Sequence, residues 1–164
     1  MMTEATPIEA PLFENIPLQL ARRPQWVCWR AELRDGKMTK VPYIAGSERR
    51  ASSTDLMTWR TFDETVAAYE RAEPPYDGIG FIFCSGDPFC GIDLDHCRDP
   101  ETGDIAPWAQ EIIDAVQDAY IEASPSGSGV HVICEGTIRG GAVRSGDIEM
   151  YDRSRFFTIT GAAL

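Results

Sequence analysis

The sequence predicts an α+β fold, one strand-rich domain or two small lobes sharing a sheet, with the helices on one side of it. Three observations predict it. Short apolar runs alternate with polar residues at the period of two expected of half-buried strands, and clusters of Gly, Pro, Asp and Ser separate them. Two longer stretches instead carry helix start signals and helical spacing. Hydrophobic residues make up 43% and charged residues 25% of 164 positions, the balance of a globular chain that buries one core and leaves no room for a second full domain.

Residues 1–19 hold Pro7 and Pro11 without sustained periodicity and are assigned to a flexible arm; residues 20–164 form the folded domain. After Pro24, Trp26, Val27 and Trp29 favour a strand, and Arg34-Asp35-Gly36-Lys37 is a hairpin turn signal, because Asp-Gly tolerates positive φ. The return strand is Thr39 to Tyr43, and Pro42, which has no N–H to donate, makes it an edge. Gly46 to Asp55, with Arg49, Arg50, Ser52 and Ser53, reads as a solvated loop or as a phosphate-contacting segment. Thr61 and Glu64 form a capping box that opens a helix through Ala72, with Phe62, Val66 and Tyr69 as its buried stripe and Pro74-Pro75 as its stop. Gly78 to Phe83 and Phe89 to Asp95 follow as strands. Pro107 opens a second helix to Tyr120, with Trp108, Ile112, Val116 and Tyr120 on one face. Ile121 to Ser124, Gly129 to Cys134, Ile148 to Tyr151 and Arg155 to Thr160 complete the strands.

Chemistry concentrates on Gly91-Ile92-Asp93-Leu94-Asp95. A strand places Asp93 and Asp95 on one face while Ile92 and Leu94 point into the core. With Gly91 beside them, the acids predict an opening rather than a packed surface, suited to hard cations such as Mg²⁺ or Mn²⁺. Solvated strand ends show the same spacing, so the pair needs partners. Ser126-Gly127-Ser128-Gly129 offers a turn whose backbone N–H groups suit an anion, and His131 lies on the face opposite Val130 and Val132, placed to reach a phosphate oxygen. Such a turn is also common without a ligand. Glu149, between Ile148 and Met150, is either an edge-strand charge or a third carboxylate. Asp93, Asp95, His131 and Glu149 all lie opposite the apolar residues of their own strands, which predicts one shared site.

Charge and cysteine usage narrow the classes. The net charge of −11 is uneven: residues 1–73 hold 10 basic and 11 acidic side chains, and residues 74–164 hold 5 and 15. That excess acid argues against a non-specific, tight DNA clamp. Cys28, Cys84, Cys90, Cys97 and Cys134 are odd in number and form no C-x-x-C pair, so a disulfide framework is not expected. A zinc site from Cys90, His96 and Cys97 would need His131 or Cys134 from far along the chain, and most of the thiols read as small buried residues. The N-terminus carries no secretion signal and no apolar run approaches a bilayer span, which predicts a cytoplasmic protein without a membrane segment.

Gly-Ile-Asp-Leu-Asp, Ser-Gly-Ser-Gly-Val-His, Ile-Glu-Met-Tyr and Arg155-Phe156-Phe157-Thr158-Ile159-Thr160-Gly161, with Lys40-Val41-Pro42-Tyr43 and Arg50-Ala51-Ser52-Ser53-Thr54-Asp55, together resemble the catalytic core of the bifunctional DNA primase-polymerases of phages and plasmids, in the archaeo-eukaryotic primase superfamily. The resemblance spans roughly residues 20–161. It implies a primase-polymerase fold, with an N-terminal α/β lobe and a C-terminal RNA-recognition-motif-like lobe around one active-site cleft. The implied activity is template-directed nucleotidyl transfer, as primase, DNA polymerase or both, with two divalent metals. By position, Asp93, Asp95 and Glu149 match the catalytic metal-binding acids, and His131 matches the histidine that contacts the triphosphate. The family motif has Ser two residues before that histidine; here the position is Gly129, so Ser126, Ser128 or a backbone N–H must substitute. Gly127 completes that turn, and Lys40, Arg50 and Arg155 are further candidates for phosphates of nucleotide or template. Implied partners are nucleoside triphosphates, a single-stranded or primed DNA template, and the helical accessory domain or helicase of longer relatives. Two rivals remain: a non-catalytic nucleotide- or nucleic-acid-binding module, and a metal-dependent phosphohydrolase.

Overall fold

A computed structural model describes residues 7–164, so the first six residues of the assigned arm lie outside the described part. The chain is mixed α+β, but it builds two antiparallel sheets where the sequence predicts one. The first has strand order β2-β1-β3-β9, from β1 (Trp26–Arg34), β2 (Lys37–Tyr43), β3 (Gly78–Phe83) and β9 (Arg155–Ile159). The second has order β5-β6-β4-β8-β7, from β4 (Phe89–Leu94), β5 (Tyr120–Ala123), β6 (Val130–Glu135), β7 (Ala142–Ser145) and β8 (Ile148–Tyr151).

Local chemistry accounts for the β1–β2 hairpin. Asp35 and Gly36 both take positive φ, 47° and 77°, the two-residue turn whose twist matches the strands it joins. Pro42 lies on β2, the outer strand of the first sheet, where a missing N–H costs no ladder bond. The capping box of Thr61 and Glu64 is formed and opens α2 (Phe62–Arg71), which follows the short α1 (Leu18–Ala21). The buried face of α2 is shifted from the expected stripe. Thr65 is fully buried, its hydroxyl donating to the Thr61 carbonyl, and Phe62, Ala68 and Tyr69 pack beside it, whereas Val66 is outside the core cluster.

Two further expectations are corrected. The second long helix, α3 (Pro107–Ala115), stops before Tyr120: Val116 is extended, Asp118 takes φ 52°, and the chain turns into β5. Its buried side is Ala109 and Ile113, with Ile112 and Val116 partly buried, and Trp108 is exposed. In the segment assigned to the arm, Ile16 joins the core beside Leu20, Phe13 packs edge-on against Phe62 and Tyr69, and the Leu12 N–H donates to the Thr160 carbonyl. Aromatic and aliphatic residues with enough apolar area to bury overrode the absence of periodicity.

The second sheet is packed on both faces. Ile92, Leu94, Val130 and Val132 meet α3 on one side. Phe89, Ile133 and Tyr151 join the aromatic core of the first sheet on the other, where Phe83 and Phe157 pack edge-on with ring centres 5.0 Å apart. No described helix is long and apolar enough to cross a membrane.

Candidate functional site

Pairing in the second sheet brings together side chains far apart in sequence. Asp93 on β4 lies directly across from His131 on β6 and from Glu149 on β8. His131 in turn faces Glu122 on β5. One row therefore crosses four strands as Glu122, His131, Asp93, Glu149, on the face away from α3. The period of two placed each of these groups on that face; strand order set them side by side.

Gly91 belongs to the same face, but it is not an opening. A Cβ there would stand 2.6 Å from the Phe157 ring and 2.8 Å from the Phe83 ring, so the glycine admits these aromatics and the surface is packed. The opening begins at Asp93. There Lys40 of β2, His131, Arg144 of β7, Glu149 and Tyr151 of β8, and Arg155 to Thr158 around β9 line a cleft of about 270 Å³ where the two sheets meet. Arg155 and Phe156 also line a neighbouring depression with Ala51, Ser52 and Ser53, so the polar loop after β2 adjoins the cleft through Arg155.

The electrostatics are those of crowded acids partly offset by fixed cations. Burial raises the Asp93 pKa above the ordinary carboxylate range, with Asp95 and Glu149 adding to the rise and His131 and Lys40 opposing it. Lys40 keeps an exposed side chain, yet crowding in the cleft lowers its pKa against the pull of Asp93 and Asp95. Glu149 is held at both oxygens: Arg144 Nε lies 2.9 Å from Oε1, and the Tyr151 hydroxyl donates to Oε2. Burial raises the Tyr151 pKa, and the Glu149 carboxylate adds to the rise. His131 is 4% exposed; Nδ1 lies 3.0 Å from Glu122 Oε1, Nε2 lies 3.7 Å from Asp93 Oδ1, and the ring stacks at a tilt against Phe157.

The remaining candidates are dispersed. Asp95 lies just beyond β4, its N–H bonded to the Asp147 carbonyl; it does not line the cleft, although its charge reaches Asp93 and Lys40. Arg50 pairs with Glu32 at 3.2 Å, away from the cleft lining. Ser126 and Gly127 line a separate cavity of about 280 Å³ with Arg98, Ser124 and Thr160. The turn is not a vacant nest. The N–H groups of Gly127, Ser128 and Gly129 donate to the Ser124 carbonyl, Ser126 Oγ and Ser124 Oγ respectively. At Gly129 a Cβ would come within 2.8 Å of the Leu94 carbonyl oxygen, a physical reason for the missing serine, and Ser124 supplies the hydroxyl at that spot.

Among the described residues no group of three or more His, Cys, Asp or Glu side chains is assembled as it stands around an ion position. The zinc candidates are engaged separately, Cys97 with the Leu94 carbonyl, His96 with Asp147, and Cys90 with Cys134. Asp93, Asp95 and Glu149 nevertheless fit a hard divalent cation in kind. Asp93 and Glu149 are oxygen donors opposite each other on adjacent strands, Asp95 follows just past the end of β4, and the repulsion that the other two exert on Asp93 is what a bound cation relieves. Glu149 would exchange its Arg144 contact to take part.

Sequence reasoning missed Glu122, Arg144 and Tyr151 as members of the site. Glu122 carried the signal used for Glu149, a carboxylate between apolar strand residues. Arg144 carried none, because β7 is fully exposed and lacks apolar alternation.

No family model matches the chain. A DNA primase-polymerase of Nitratiruptor phage NrS-1 is 36% identical to it over 148 residues, covering 87% of this chain and 20% of the relative. The chain thus spans about a fifth of the curated relative it matches. The likeness to phage primase-polymerases read from the motifs is shown by this relative along most of the chain.

Proposed function

We propose that this chain is the catalytic domain of a DNA primase-polymerase, a template-directed nucleotidyltransferase that starts or extends primers. The observation that carries the reading is the row His131, Asp93, Glu149 across β6, β4 and β8, opening onto a cleft that also holds Lys40 and Arg155. In this reading the first sheet with α2 is the α/β lobe, the second sheet with α3 is the RNA-recognition-motif-like lobe, and the cleft between them takes nucleotide and template.

Asp93, Asp95 and Glu149 would hold Mg²⁺ or Mn²⁺. When bound, the ions supply activation of the attacking 3′-hydroxyl and charge stabilisation on departing pyrophosphate. The chain's own residues bind and orient. His131 presents Nε2 to the triphosphate, while Lys40 and Arg155 supply positive charge from the first sheet and Arg144 from the outer strand of the second. Phe157 and Phe83 pack over Gly91, two residues before Asp93 on the same face, and close that side of the cleft.

A binding module without chemistry has no need of carboxylates crowded until one of them is driven to a raised pKa. The substrates are nucleoside triphosphates and single-stranded or primed DNA, the working compartment is the cytoplasm, and initiation draws on a helical accessory domain or helicase. With a net charge of −11, the isolated chain supplies little electrostatic affinity for template, so it extends a primer better than it starts one. The test is synthesis with Mn²⁺ and labelled nucleotides on primed and bare templates, with end-product analysis. Template-dependent extension is expected. Release of phosphate or pyrophosphate without chain growth would replace this reading by a phosphohydrolase.

A further inference from the structure

Among the described residues Glu122 is the acidic or basic side chain with the least exposure, at 0%. Its carboxylate is surrounded by donors. Oε1 accepts from the Thr160 N–H at 3.0 Å and faces His131 Nδ1 at 3.0 Å. Oε2 accepts from the Tyr120 hydroxyl at 2.8 Å, the Gly161 N–H at 2.9 Å and the Thr160 N–H at 3.0 Å. Burying a carboxylate is costly unless it is hydrogen-bonded in this way. The edge strand β5 is also covered, since the Ala123 N–H donates to the Ala162 carbonyl and the Leu164 N–H to the Ile121 carbonyl.

The consequence falls on His131. A carboxylate that accepts at both oxygens requires a proton on the imidazole nitrogen that faces it, because a lone pair there would meet another lone pair. Nδ1 is therefore the protonated nitrogen that points inward, and Nε2 is the nitrogen turned toward Asp93 and the cleft. A half-turn of the ring would replace Nδ1 by a carbon against Glu122 and give up that bond, while Phe157, with ring centres 5.3 Å apart, holds the ring plane. The same carboxylate grips Thr160 and Gly161, just past the end of the strand that carries Phe157, so one buried charge fixes both the edge and the face of the ring.

We infer that Glu122 is a positioning residue: it keeps a proton on His131 Nδ1 and thereby fixes Nε2 facing the nucleotide in the cleft, where a bond to a phosphate oxygen needs a second proton, on Nε2 itself. The role of Nε2 toward nucleotide rests on the proposed function; the locked ring does not. A group acting on a site through the residue it orients characteristically changes activity by about 10- to 100-fold when lost.

Two measurements on the whole chain test this. In ¹⁵N-labelled protein without nucleotide, the long-range imidazole spectrum of His131 is expected to show a protonated Nδ1. Glu122→Gln is expected to lose that pattern while the thermal melt stays cooperative, and to raise nucleotide KM and lower kcat by about tenfold or more with template Kd unchanged. Glu122→Asp, which keeps the charge, is expected to recover part of the kinetic loss. A wild-type spectrum with the proton on Nε2 alone overturns the inference, and needs no variant that must fold. So does a Glu122→Gln protein with unaltered KM and kcat, or one whose losses are confined to melting temperature. If the wild-type protein shows the expected His131 spectrum but neither binds nor incorporates nucleotides, the locked ring stands and the proposed function fails.

Discussion

The two faces of the second sheet share the same strands and do opposite work. Toward α3, Ile92, Leu94, Val130 and Val132 are all at most 4% exposed and share one apolar cluster with Ala109 and Ile113. Toward the first sheet, the residues interleaved with them are His131, Asp93 and Glu149, with Glu122 next in the row. A strand commits alternate residues to opposite environments, so one ladder of backbone hydrogen bonds supports a dry core and a charged row at once. Substitutions should therefore divide cleanly: on the α3 face they should change stability, and on the cleft face they should change chemistry.

The largest departure is expected at Asp93. Asp93→Ala should abolish nucleotide incorporation while leaving the melting temperature unchanged or higher, because it removes a carboxylate whose burial and like-charged neighbours disfavour its ionised form. Asp95→Ala should act alike on incorporation. Incorporation assays and thermal melts on the same preparations check both, and undiminished turnover in either would break the division of labour.

His131→Ala comes next, with an expected loss of about 10- to 100-fold in kcat/KM for nucleotide and little change in template affinity. Steady-state kinetics with varied nucleotide, beside a template titration, separates the two. On the other face, Val132→Ala should cost about 2 kcal/mol in denaturant unfolding, from lost burial and the cavity left behind, with specific activity of the folded protein unchanged.

A subtler test uses pH. The Asp93 pKa is raised in the folded state, so the folded protein binds that proton more tightly than the unfolded chain. Its contribution to stability is present below the ordinary carboxylate pKa and is lost as pH rises through the raised value. Asp93→Asn should match the wild type at the acid end of that window and become the more stable protein above it, as unfolding curves across pH would show. The smallest effect is expected for Arg144→Ala. Its guanidinium pairs with Glu149 from a side chain that is 77% exposed, so the change should cost less than about 1 kcal/mol of stability. A larger loss on melting would mean that the exposed edge of the row is as structural as its buried end.

Local chemistry wrote much of this into the sequence. Asp35-Gly36 specified a hairpin because few residues tolerate positive φ, and Thr61 with Glu64 specified a helix start because both ends of the capping box lie within four positions. Period two was enough to place Asp93, His131 and Glu149 opposite their apolar neighbours. It also suggested a shared face, though not which of these residues would touch.

Tertiary structure decided the rest, because strand order and register join segments separated by tens of residues. The order β5-β6-β4-β8-β7 flanked Asp93 with His131 and Glu149, and set Glu122 beside His131. Packing from the first sheet turned Gly91 from an expected opening into the seat of Phe157 and Phe83. The serine turn was read as free donors, but its N–H groups are consumed locally by Ser124 and Ser126, a competition that composition does not reveal. The helix expected to reach Tyr120 stops at Ala115, because residues Tyr120 to Ala123 are drawn into pairing with β6, a long-range partner that local helical spacing does not reveal. Side-chain alternation is a property of each strand alone, whereas the neighbours of a charge are a property of the assembled sheet, and it is those neighbours that set the Asp93 pKa and the orientation of His131.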